Sequence, residues 1–145
     1  MKTEKKPSRT EPKPSVVTKN YWILAKRKKG VYPDSTARSG KWLVFVSVED
    51  VDGVWAKIRE AVEKGSLGNQ AKVATAKPNP NAADDLRRVI CVYTYDCEDI
   101  KDVRRIREEL RCLGIVDRIP YKSDEDTVAG KYSVKGHTRI SKFFE

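Results

Sequence analysis

The stretch AKVATAKPNPNAADDLRRVICVYTY, residues 71–95, decides the fold. Its two ends are rich in β-branched and aromatic residues, so Ala71–Lys77 and Arg87–Tyr95 read as strands. Between them lies a turn-rich loop built on Pro78, Asn79, Pro80 and Asn81. Two strands joined this way lie side by side in opposite directions, an antiparallel pairing. Arg87–Tyr95 carries apolar residues on both faces, which makes it central and covered on at least one side.

Upstream, YWILAK (21–26) is a short strand, residues 27–40 form a loop with Gly30, Pro33 and Gly40 as breakers, and WLVFVSV (42–48) is a second strand. Asp50 then caps a helix in which Val51, Val54, Trp55, Ile58, Ala61 and Val62 recur at helical spacing and Gly65 is the stop. Ile58 sits mid-stripe and is core. Trp55 lies near one edge of the stripe, where a large ring has room either to be half exposed or to join the core. Downstream, Ile100, Val103, Ile106, Leu110 and Leu113 mark a second helix over 98–113, ended by Gly114. RIPYK (118–122) is a short strand whose Pro120 points to an edge or bulge, and 140–144 forms a last strand. Strands and helices mix without strict alternation. The pattern is α+β: one antiparallel sheet with helices packed on one face.

The chain has 145 residues, enough for one domain. Residues 1–20 hold three prolines, six basic and two acidic residues, and little to bury, so they read as a disordered basic tail before a single domain over 21–145. Thirty Lys and Arg face 21 Asp and Glu, a formal charge of +9. Such a balance suits polyanionic partners. No apolar run is long enough for a membrane span, and the N-terminus has no signal-peptide core. Cys91, Cys97 and Cys112 have no paired spacing, which fits a reducing cytoplasm and argues against a structural zinc site. No metal or cofactor is indicated.

Several segments resemble a known family. SVEDVDGVWAKI resembles the strand-to-helix segment of the 4E-type cap-binding translation initiation factor. VYTYDCEDIKDVRRIREELRCLGIVDRIPYKSDEDT resembles that factor's last strand, helix and following strand. The closer likeness, carried by GKWLVFV, LGNQAKVATA and YKSDEDTVAGKY, is to the uncharacterised basophilic-leukaemia-expressed (Bles) family. The resemblance implies a 4E-like fold, a single antiparallel sheet curved around a concave face with helices behind. It does not imply cap recognition. The factors stack the methylated guanine between two Trp side chains, whereas residues 27–40 here offer Tyr32 and residues 65–70 no aromatic residue. The Val and Trp with which the factors dock a partner's short helix match Val51 and Trp55.

Candidate sites follow. Lys72 and Lys77 lie on or beside one strand of the central pair, Arg87 and Arg88 enter the other, and the four converge near one end of the sheet. Trp22, Tyr32, Trp42 and Tyr93 supply faces for stacking. Cations with interleaved aromatics suit RNA or another phosphorylated ligand. A second reading is a protein-interaction module on Val51 and Trp55. A third is a phosphothreonine-lyase-like enzyme, which pairs a Lys base with a His acid and would use Lys41 and His137; a lone His in a polar stretch is more often inert. SDEDT (123–127) reads as a capped turn rather than a cation loop.

Overall fold

The computed structural model describes residues 11–79, 86–124 and 142–145. Strands β1 (Trp22–Lys26) and β2 (Gly40–Ser47) precede helix α1 (Val51–Glu63). Strands β3 (Gln70–Ala74) and β4 (Arg87–Thr94) precede helix α2 (Ile100–Cys112), and β5 (Pro120–Ser123) and β6 (Phe143–Phe144) close the sheet. The sheet is curved, six-stranded and antiparallel, in the order β1-β3-β4-β2-β5-β6. The central pairing expected from 71–95 is present: Ala71, Lys72 and Val73 face Val92, Cys91 and Ile90. β4 sits between β3 and β2, and so is central. β5 pairs with β6 on its outer side, so Pro120 occupies the first position of an inner strand rather than an edge.

Both helices end as their glycines require. Gly65 has φ +91°, and the amides of Gly65 and Ser66 return to the carbonyls of Val62 and Ala61. Gly114, at φ +97°, does the same with Arg111, as Ile115 does with Leu110. Each is the two-bond closure that satisfies the last carbonyls of a helix. At the other end of α2 the Asp99 side chain accepts the Asp102 amide. Asp50 does not cap α1 with its side chain; its carboxylate instead accepts the Ser47 hydroxyl.

The two helices share one core with one face of the sheet. Ala25, Trp42, Val44, Ala71, Val73, Ile90, Val92 and Tyr121 meet Val51, Trp55, Ile58, Val62, Val103, Ile106 and Leu110. Ile58 is core as expected. Trp55, near the edge of the stripe, is core as well: it is 2% exposed. The segment before β1 packs along the same helix. Pro14 is buried, Ser15 gives its amide and its hydroxyl to the two carboxylate oxygens of Asp52, and Glu11 lies 3.5 Å from Arg59. Residues 11–15 thus run back along α1, and the Val17 carbonyl takes the Ala76 amide. Residues 1–10 of the expected tail lie outside the described residues, and residues 11–17 make the contacts just given. Pro14, Val17 and the Ser15 hydrogen bonds supply contacts that the hydropathy of the segment does not reveal. No described helix is long and apolar enough to cross a membrane.

Candidate functional site

Side chains alternate across a strand, so the register assigns every strand position to the helix face or to the opposite, helix-free face. The helix-free positions are Trp22, Leu24 and Lys26 on β1; Gln70, Lys72 and Ala74 on β3; and Arg87, Val89, Cys91 and Tyr93 on β4. Lys41, Leu43, Phe45 and Ser47 on β2, with Pro120 and Lys122 on β5 and Phe144 on β6, complete the face. Every inner strand therefore contributes a cation, and none of these described positions is acidic. The nearest carboxylate is Asp124, just past β5, which accepts Lys41 Nζ at 2.6 Å and the Ser39 hydroxyl at 2.6 Å.

Aromatic rings accompany these cations. Lys72 Nζ lies 3.9 Å from the centroid of the Trp22 ring, and the Arg87 guanidinium lies 5.4 Å from that of Phe45. Such contacts are attractive and leave the cation at the surface. Cys91 lies between Lys72 and Lys41. Burial raises its thiol from 9.0 to about 11, against the opposing pull of the two ammonium groups. Burial likewise pushes the Tyr93 hydroxyl above its ordinary value.

The four cations expected to converge do so only in part. Arg87 and Lys77 lie at the same end of the sheet, where Lys77 Nζ stands 4.4 Å from the Tyr21 ring and donates to the Lys19 carbonyl. Lys72 lies opposite Cys91, four residues along β4 from Arg87, a separation of roughly 13 Å. Arg88 faces the other way. It pairs with Val46, whose side chain packs on the core, because consecutive residues of a strand point to opposite faces.

The stacking candidates separate as well. Trp22 is half-buried on the helix-free face. Trp42 is fully buried on the helix face, with its Nε1 donating to the Val103 carbonyl at 3.0 Å, and so has no face to offer. Tyr32 is partly buried and donates its hydroxyl to Asp102 at 2.5 Å. Val51 is fully buried with Trp55. His137 and Glu125–Thr127 lie outside the described residues, and Lys41, the lyase reading's base, is held by Asp124. Among the described residues no group of His, Cys, Asp or Glu is placed to hold a metal ion.

The sequence reading passed over Lys26, Lys122 and Phe45, and assigned Lys41 only to an enzyme. The period-2 alternation of WILAK, GKWLVFVS and PYKS contains the information; what it lacks is which phase faces the helices. That phase is set by Ala25, Trp42 and Tyr121 turning into the core.

The family model of the basophilic leukemia-expressed protein Bles03 matches residues 32–128. The chain belongs to this family. The Bles03 match begins at Tyr32 and takes in both helices and β2 to β5, so it covers Lys41, Lys72, Arg87 and Lys122. It leaves out β1, with Trp22 and Lys26, the segment packed along α1, and β6.

Proposed function

We propose that the helix-free face binds single-stranded RNA, or another ligand carrying a chain of phosphates, without cap recognition. The observation that carries this reading is the set Lys26, Lys72, Arg87, Lys41 and Lys122, drawn from every inner strand and β1 onto one face with no acidic strand position among the described residues. Their spread favours a polymer over one compact phosphate. The roughly 13 Å between Lys72 and Arg87 exceeds what a single phosphate group bridges, and it suits a backbone laid across strands. Trp22 and Phe45, which is 44% exposed, offer rings beside two of these cations.

The architecture is read here as that of the 4E-type factors, supported by the order of elements and by the curved sheet with both helices on one face. Cap binding is left out of the reading because the loop 27–40 holds no Trp and Trp42 is sealed. The alternative of a partner helix on Val51 and Trp55 gains no support from side chains that are 0% and 2% exposed. The test is binding of a labelled single-stranded RNA at low and moderate salt. Affinity that falls steeply with salt supports the proposal, since phosphate contacts release counterions. Absence of affinity at low salt overturns it.

A further inference from the structure

At the end of the helix-free face remote from Arg87 there is a pocket of about 210 Å³ lined by Tyr32, Asp34, Ser35, Gln70, Tyr93 and Tyr95. That is well below the roughly 300–1,000 Å³ of pockets for drug-sized ligands. It is continuous with the cationic track: Gln70 pairs with Lys26, and Tyr93 with Lys41.

The walls are held before any ligand arrives. Tyr32 and Tyr95 meet edge to face with centroids 5.5 Å apart. The Tyr32 hydroxyl donates to Asp102 and accepts the Tyr95 amide at 3.1 Å, while the Tyr95 hydroxyl donates to Asp99. Both rings are therefore anchored to the first turn of α2. The loop is fixed from both sides, by Asn69 Nδ2 donating to the Pro33 carbonyl at 3.1 Å and by the Thr36 amide donating to the Tyr95 carbonyl at 3.0 Å. Among the lining residues, Tyr93, Gln70, Ser35 and Asp34 carry polar side-chain groups that no other described residue engages. Polar groups with free donors and acceptors, set in a preorganised aromatic frame, are what reading the edge of one unstacked base requires.

We infer that this pocket receives a single nucleobase of the bound strand and selects bases that carry an exocyclic amine. The inference rests on the RNA-binding reading and adds a specificity to it. Asp34 only accepts hydrogen bonds when ionised, so it favours the amines of adenine, cytosine and guanine and disfavours the carbonyl that uracil presents at that place. Gln70 donates and accepts as well, and Lys26, its exposed partner in the register, stands ready for a flanking phosphate.

The experiment is fluorescence anisotropy with labelled octa-adenylate, octa-cytidylate and octa-uridylate on the full chain at low salt. The adenylate and cytidylate are expected to bind about tenfold more tightly than the uridylate. Asp34→Ala is expected to bring the first two down to the uridylate level. Asp34 is exposed, so unfolding curves of the variant serve to establish that it folds. Equal affinity of the three octamers for the unsubstituted chain, or a preference that survives Asp34→Ala, overturns the base pocket while leaving RNA binding in place. Failure of every octamer to bind overturns both.

Discussion

Trp42 stands with its indole N–H on the Val103 carbonyl, its ring 5.1 Å from that of Tyr121, and the Arg107 guanidinium 5.9 Å from its centroid. One side chain thereby joins β2, β5 and α2. Trp42→Phe removes the donor and leaves a gap where the larger ring stood, and a stability loss of about 2–3 kcal/mol is expected in denaturant unfolding, with the slope unchanged. Arg107, fully buried, donates to the carbonyls of Ile115, Asp117 and Glu145, and so ties the α2–β5 loop to the strand β6 region. Asp96 is held by Arg38 at 2.6 Å and by the Glu98 amide, which together lower its carboxyl below the ordinary 3.8. A carboxyl depressed in the folded state contributes stability above its unfolded value, and that contribution is lost as pH falls through the folded value. Asp96→Asn is therefore expected to be less stable than the parent near neutrality and to lose less of its thermal midpoint on acidification from about pH 5 to pH 2.

At the scale of elements, α1 illustrates what a sequence discloses and what it withholds. Its apolar stripe, its stop at Gly65 and the burial of Ile58 follow from helical periodicity. The packing of residues 11–15 along the helix does not, because the contact of Ser15 with Asp52 spans 37 positions of chain. The strands behave alike. Their existence and the antiparallel pairing of β3 with β4 follow from residues 71–95, and that Arg87 and Arg88 face apart follows from their adjacency. Which of the two faces the helices required the register, as did the company of Lys26, Lys41 and Lys122. The N-terminal contact is itself testable. Asp52→Ala removes both acceptors of Ser15, and the amides of Ser15, Val16 and Val17 are expected to lose about fivefold in hydrogen-exchange protection while Val73 and Cys91 keep theirs. Unchanged protection would mean that Pro14 and Glu11 hold the segment without Ser15.

For the whole molecule, the division of the sheet into a helix-covered face and a cationic face separates stability from the proposed binding. Lys72→Ala and Arg87→Ala are each expected to flatten the slope of log affinity for single-stranded RNA against log salt by about 0.7, while Arg88→Ala leaves it in place. A slope that responds to Arg88 as strongly as to Arg87 would place the nucleic acid elsewhere.

The distribution of indoles has a practical corollary. The chain has three tryptophans. Trp42 and Trp55 are sealed, and Trp22 lies at the surface beneath the Lys72 ammonium. An RNA strand bound as proposed would exchange with the ammonium for the ring, changing the surroundings of one chromophore and sparing the other two. Intrinsic emission, read without any label, thus becomes a gauge of occupancy at β1, and Trp22→Phe silences it while the spectrum of the core persists.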